Sequence, residues 1–190
     1  MLIVVSQHNA PLHWDALASM HQLRRKVFKE RLAWDVNVVN GLELDQFDIP
    51  DAHYLLHCND TGRVDACTRL LPTTGPYLLA DVFPQLIDGE APRSPLVWES
   101  TRFCADHDTA PTNIAAILMA GMLEFGVDRI DHGTNIVEDP ALVATVLERG
   151  IGLTCCPVSN SFVTEQMKSD EIVSLLRAGV RVTINSDDPA

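Results

Sequence analysis

Three absences narrow this 190-residue chain before any motif is read. It has no long hydrophobic run. Leu2-Ile3-Val4-Val5 is too short for a signal-peptide core or a membrane span, so no membrane partner is expected. It has little positive charge: 14 Lys and Arg stand against 26 Asp and Glu, a formal net charge of -12. Both halves share the deficit, with nine basic against sixteen acidic residues in 1–126 and five against ten in 127–190. Such a surface disfavours nucleic acid as a partner. It has no Cys-x-x-Cys. An odd count of five cysteines points to reduced, buried thiols in a cytoplasmic protein, not a disulfide framework or zinc knuckle.

Nearly half the residues are apolar, so the chain is expected to be globular, with one sizeable core or two small ones. Residues 14–31 read as one or two amphipathic helices, with Leu17, Met20, Leu23, Val27 and Phe28 on a stripe. The basic cluster Arg24-Arg25-Lys26, Lys29 and Arg31 lies between them, either as a solvated face or as a contact for an anionic ligand or acidic carrier protein. The segment from Arg31 to Asp48 is irregular, with Asn40-Gly41 as a turn signal. His53–Cys58 and Val64–Leu71 flank a hairpin turn at Asn59-Asp60-Thr61-Gly62. Leu78 to Phe83 reads as a small helix or turn, Leu96–Phe103 as a strong strand, and 112–125 as a helix stopped by Gly126. Beyond it, strands at Arg129–Asp131, Ile151–Cys155 and Val180–Ile184 alternate with helices. One helix is capped by Asp139 with Pro140 behind it, and one ends at Gly179. That rhythm suits parallel pairing.

The chemistry in the first part is ambiguous from spacing alone. Glu99 and Arg102 are three apart on a strand, so they face opposite ways unless a bulge or the strand end intervenes. They suit a surface ion pair, or a base tuned by a cation. Asp45 and Asp48, with Arg24 and Arg69, suit either a ligand carrying ammonium or sulfonium charge or a plain acidic loop. Phe28 and Trp34 read first as core.

A resemblance adds to this. Leu23-Arg24, Val27-Phe28, Trp34, Glu43-x-Asp45-x-Phe47-Asp48, Arg69 to Tyr77, Val82-Phe83-Pro84 and Trp98-Glu99-x-x-Arg102-Phe103 occur in this order. Together they resemble the N-terminal two-thirds of the acyl-homoserine-lactone (autoinducer) synthases. The resemblance implies a GNAT-type acyltransferase sheet. It implies transfer of an acyl chain from acyl carrier protein to S-adenosylmethionine, with lactone closure releasing methylthioadenosine. No cofactor is needed, since S-adenosylmethionine is a substrate. Glu99 would help deprotonate the amine nucleophile and Arg102 would act beside it. Arg24, Phe28, Trp34, Asp45, Asp48 and Arg69 would shape the S-adenosylmethionine pocket. A protonated amine cannot attack a thioester, so a carboxylate base is chemically required.

After Gly126 a different series appears: Arg129-Ile130-Asp131-His132-Gly133, Asp139-Pro140-x-Leu142, Leu153-Thr154-x-Cys156-Pro157-x-Ser159-Asn160 and Asn185-Ser186-Asp187-Asp188-Pro189. It resembles the later part of an adenosine or adenine deaminase barrel. That resemblance implies zinc as cofactor, with Asp187 as a ligand, Asp188 on the substrate base and His132 stabilising the attacking hydroxide. None of the seven histidines forms a His-x-His or His-x-x-Glu pair, so deaminase activity is not expected.

The expected architecture is therefore α/β: an incomplete GNAT-like acyltransferase sheet over 1–126, then a βαβαβ fragment of a TIM-type barrel over 127–190, a chimera of two families. The expected function is an impaired acyl-homoserine-lactone synthase. The alternatives are a non-catalytic chimeric or truncated chain, and a zinc- or purine-binding fragment.

Overall fold

The strand Val64–Pro72 is buried along its whole length, and the first half of the chain is laid around it. The computed structural model describes residues 1–164 and 166–185. They form two compact units, Met1–Ile114 and Ala115–Ala190. In chain order the first contains β1 (Leu2–Val5), α1 (Trp14–Arg24), a π-helical turn Arg25–Arg31, β2 (Val38–Val39), β3 (Leu42–Glu43), β4 (His53–Cys58), β5 (Val64–Pro72), α2 (Leu78–Asp81) and β6 (Trp98–Ala105).

Four of these strands pair antiparallel in the order β1-β4-β5-β6. On one face Tyr54, Leu56 and Cys58 of β4, Cys67 and Leu71 of β5 and Cys104 of β6 pack with Met20, Leu23, Val27 and Phe28 in a single apolar core. The helical stripe read from the sequence is the buried one. The β4–β5 turn forms because Asn59 Oδ1 accepts from Thr61 N at 3.0 Å and Arg63 N at 3.1 Å, while Gly62 takes φ +79°.

Two features depart from the expectation. Leu2–Val5 is an edge strand, registered against Tyr54–His57. The irregular segment before Asp48 contains the small hairpin β2–β3, turned by Asn40 and Gly41 at φ +51° and +80°. Two central residues of positive φ make the turn whose twist suits a hairpin.

The register of β6 controls the rest. Cys67 faces Cys104 and Arg69 faces Thr101, so two steps on β5 match three on β6. The extra residue makes a bulge, and Arg102 within it takes φ +54°. That left-handed conformation costs a non-glycine residue roughly 1–2 kcal/mol. The bulge resets the alternation and brings Arg102 to the face that carries Thr101 and Arg69.

The second unit contains α3 (Ile114–Glu124), β7 (Arg129–Asp131), a 3-10 segment Gly133–Glu138, α4 (Pro140–Arg149), β8 (Gly152–Cys155), α5 (Pro157–Thr164), α6 (Ser169–Ala178) and β9 (Arg181–Ile184). Its strands pair parallel in the order β7-β8-β9. The 3-10 segment packs against β8, α4 and α6. Ile130, Leu153 and Cys155 are buried. Arg129, Asp131, Thr154 and Thr183 alternate with them and, with Cys156 and Asn185, line an open depression. Helix α5 was not legible from the sequence pattern.

All five cysteines are free and buried, with Cys67 and Cys104 Sγ 3.5 Å apart across the strands. No helix of the described residues is long and apolar enough to cross a membrane.

Helix α4 starts as the sequence implied. Asp139 Oδ1 accepts from Ala141 N at 2.9 Å and Leu142 N at 3.1 Å, and Gly150 ends the helix at φ +66°. Asp139→Ala should lower stability by about 1 kcal/mol, measured by urea unfolding. An unchanged midpoint would mean the cap contributes nothing.

Candidate functional site

Three arginines from three elements converge on three acids from one loop. Asp45 and Asp48 sit in a tight turn that fixes their carboxylates. Phe47 N donates to Asp45 Oδ1 at 2.8 Å, and Asp45 N donates to Asp48 Oδ2 at 2.8 Å. Glu43, at the end of β3, is the third acid.

Arg24, at the end of α1, is fully buried. Its Nε donates to Glu43, and its Nη1 and Nη2 hold Asp48 in a fork at 2.6 and 2.9 Å. Arg69, on β5, is equally buried. Its Nη1 and Nη2 fork onto Asp45 at 2.6 and 3.0 Å, Nη1 also reaches Asp48 at 2.9 Å, and Nε donates to Thr101 Oγ1 at 3.0 Å. Arg102 enters from the bulge of β6 and meets Glu43 Oε1 at 3.2 Å and Asp45 Oδ2 at 2.7 Å. Three positive and three negative groups cancel.

The network opens at one side. The side chains of Arg24, Arg69 and Glu43 have no exposure, whereas those of Asp45 and Arg102 keep 17% and 15%. Beside them Phe28 is stacked between two partners. The Trp34 ring lies 5.0 Å away at 16°, and the Arg102 guanidinium lies 5.4 Å from its centroid. Trp34 is 49% exposed, so the stack presents an aromatic face to solvent next to one carboxylate and one guanidinium.

Ordering follows from charge. Burial raises the Asp48 carboxyl, but hydrogen bonds and charge from Arg24, with the Asp45 N–H and Arg69, hold it far below the usual carboxylate range. Asp45 is depressed likewise: burial opposes ionisation, and Arg69 and Arg102 outweigh it. His21, whose Nδ1 lies 2.8 Å from the Glu43 carbonyl, is lowered by burial first and by Arg24 second.

Glu99, on β6 opposite Leu71, has a different set of partners. Its carboxylate accepts from Leu78 N at 2.8 Å and Leu79 N at 2.9 Å, at the start of α2. Among the described residues Glu99 forms no ion pair with Arg102, whose donors meet Glu43 and Asp45. Each Glu99 oxygen still has a second lone-pair position.

The sequence reading brought together Arg24, Phe28, Trp34, Asp45, Asp48, Arg69 and Arg102, and all seven meet here. It gave no role to Glu43, Thr101 or Tyr54, whose hydroxyl donates to Asp48 Oδ1 at 2.9 Å. Charge counting could have found Glu43, since three guanidiniums against two carboxylates leave one buried cation unmatched. The basic cluster is largely self-neutralised: Lys26 Nζ holds Asp106 at 2.7 Å and Asp108 at 2.9 Å, and Arg25 faces Glu30 at 3.4 Å.

In the second unit His132, at φ +56°, has Nδ1 2.9 Å from Asn160 Oδ1. Asp187 and Asp188 lie outside the described residues. Among the described residues no three His, Cys, Asp or Glu are grouped to hold a metal, and His132 alone does not make a zinc site.

The profile of the autoinducer synthases matches residues 9–175. The chain belongs to the autoinducer synthase family. An acyl-homoserine-lactone synthase of Aliivibrio fischeri is 38% identical over 128 residues, 67% of this chain and 66% of the relative. One of Pseudomonas aeruginosa is 49% identical over 90 residues, 46% and 45% of the two chains. Among solved structures, the CoA-dependent acyl-homoserine lactone synthase BjaI with MTA is similar, with TM-score 0.62 and 34% identity over 66% of this chain and 60% of that one. The synthase LasI gives TM-score 0.53 and 34% identity, with 66% of each chain covered. This autoinducer synthase family member thus spans less than two thirds of the length of the relatives it matches. The residues matched by the family profile extend past Gly126, to 175.

Stability should fall in two stages as pH drops. A His with depressed folded pKa stabilises above its ordinary value of about 6.5, so the His21 contribution is lost first, below that pH. The Asp45 and Asp48 contributions are present above about 3.9 and are lost as pH falls through their lower folded values. Urea unfolding from pH about 8 to about 3 should show both stages, and His21→Gln should remove the upper one. A profile flat down to pH about 4 would contradict the His21 assignment.

Proposed function

We propose that the chain carries the S-adenosylmethionine pocket of an acyl-homoserine-lactone synthase and uses it in the family's reaction. An acyl group passes from a carrier thioester to the S-adenosylmethionine amine, and lactone closure releases methylthioadenosine. The observation that carries this reading is the open side of the charge network. Asp45 and Arg102 offer one carboxylate and one guanidinium, the groups that match the ammonium and carboxylate of an amino acid. The Trp34 and Phe28 rings beside them suit a sulfonium or an adenine ring. A wholly buried network without a ligand is expensive, because desolvation offsets most of its Coulomb gain.

In this reading Glu99 takes the proton from the attacking amine, directly or through one water. Its two backbone hydrogen bonds fix the carboxylate while leaving lone pairs free. The acyl donor is a carrier thioester: acyl carrier protein is the partner the family resemblance implies, and the BjaI comparison adds coenzyme A as an alternative carrier. The first unit supplies the GNAT-like sheet and no cofactor takes part.

A second reading has its own support. The antiparallel sheet ends at β6, and the strands that follow pair separately as a parallel sheet. In the family, further strands after this point complete the sheet and wall the acyl cleft. The chain would then bind S-adenosylmethionine without completing transfer. The same observation fits a division into a synthase part over 1–126 and a barrel-derived βαβαβ part over 127–190. Parallel sheets in α/β proteins are normally covered on both faces, and the polar row Arg129, Asp131, Thr154 and Thr183 fits a strand set taken from a larger closed barrel. A purine or zinc site there would depend on Asp187 and Asp188, and no step is assigned to it.

Incubation with S-adenosylmethionine and an acyl thioester, on carrier protein or on coenzyme A, should release methylthioadenosine only when both are present. Glu99→Gln should slow release by about 10²–10⁴-fold. Release without acyl donor, or an unaffected Glu99→Gln variant, would contradict synthase chemistry. Binding without release would favour the second reading.

A further inference from the structure

The Asp48 carboxylate has no acceptor position left for a ligand. Its Oδ1 accepts from Arg24 Nη1 at 2.6 Å, Arg69 Nη1 at 2.9 Å and Tyr54 OH at 2.9 Å. Its Oδ2 accepts from Arg24 Nη2 at 2.9 Å and Asp45 N at 2.8 Å. A carboxylate offers about four lone-pair sites, and five donors saturate it. Asp48 is therefore a hub inside the protein, and what orients the hub orients the site.

Of the five donors, four come from residues already in the charge network. The fifth is Tyr54. Its strand position lies directly opposite Arg69 in the β4–β5 register, so the phenol and the guanidinium reach Asp48 Oδ1 from the same face. The ring is buried in the core with Leu56 and Phe47, which fixes the hydroxyl in space. From Asp48 the chain of contacts runs through Arg69 to Asp45 and from Asp45 to Arg102. Those last two are the charged members that keep access to solvent.

Resting on the S-adenosylmethionine reading above, we propose that Tyr54 is a positioning residue for that site. Its hydroxyl pins Asp48, and through Asp48 and Arg69 it sets the spacing of Asp45 and Arg102, the two charged groups that meet the ligand. The phenol touches no substrate and takes no part in proton transfer. A neutral donor is needed here because a fourth cation would unbalance a network whose charges already cancel.

The test is titration calorimetry of the full chain with S-adenosylmethionine, for the wild type, Tyr54→Phe, a variant with 4-aminophenylalanine at position 54, and Leu56→Ala. Tyr54→Phe keeps the ring and removes one hydrogen bond; its dissociation constant should rise about three- to tenfold. The fraction of binding-competent protein should stay near one. The 4-aminophenylalanine variant, which puts a neutral N–H donor where the hydroxyl was, should recover most of the affinity. Leu56→Ala, next on the same face of β4 and outside the network, should lose stability yet keep the wild-type dissociation constant.

An unchanged constant in Tyr54→Phe, with a normal one in the wild type, overturns the positioning role alone. A lower competent fraction at unchanged constant means Tyr54 is merely structural, and so does equal weakening in Leu56→Ala. If Tyr54→Phe does not fold, the 4-aminophenylalanine variant decides: near-wild-type affinity with a donor restored supports the role, and full loss in a folded variant overturns it. A wild type that binds no S-adenosylmethionine removes the functional reading itself, and the inference with it.

Discussion

Taking three guanidiniums out of water is the constraint on which the first unit depends. An isolated buried ion costs several kcal/mol even after relaxation. Arg24 and Arg69 are wholly buried, so each must be matched by carboxylates held at hydrogen-bond distance. The loop 43–48 supplies them. Its own backbone also holds Asp45 and Asp48, through the Phe47 and Asp45 N–H groups. The helix, the hairpin and two strands are thereby tied to one six-membered charge cluster. An apolar replacement of the cluster would often be neutral or more stable. Its presence is better understood as preorganisation of a binding face than as a source of stability.

The bulge in β6 is the second half of that arrangement. Through the bulge Thr101 and Arg102, neighbours that a regular strand would point to opposite faces, both serve the side that carries Arg69. One extra residue and a left-handed φ turn Arg102 inward, at a cost that the ion pairs to Glu43 and Asp45 hold in place. Strain of this kind gathers at sites where geometry matters more than stability. The same bulge lies beside the buried Cys67–Cys104 pair, so packing and site share one irregularity.

Much of this was legible in the residues. Turn chemistry at Asn59–Gly62, the Asp139 cap with Pro140 behind it, and Gly126, Gly150 and Gly179 at helix ends all mark local conformations that only a few residue types adopt. The apolar stripe of α1 was readable because its period is short. The site was less so. Spacing alone left Asp45, Asp48, Arg24 and Arg69 as an acidic loop with nearby cations, and the family resemblance drew them together. Tyr54 and Thr101 were invisible because their roles arise from strand register, which joins residues distant in sequence. Alternation alone left the face of Arg102 open, because a bulge is a property of two strands, not of one. Leu2–Val5 became an edge strand through pairing with β4, which four residues cannot announce by themselves.

The central claim is that the charge cluster is a formed ligand pocket and not merely a buried knot of ions. Differential scanning calorimetry with increasing S-adenosylmethionine tests it most directly, because a ligand that binds only the folded state raises the unfolding temperature with the logarithm of its concentration. The account predicts a cooperative transition that moves upward in this way. A transition indifferent to S-adenosylmethionine at all concentrations would contradict it.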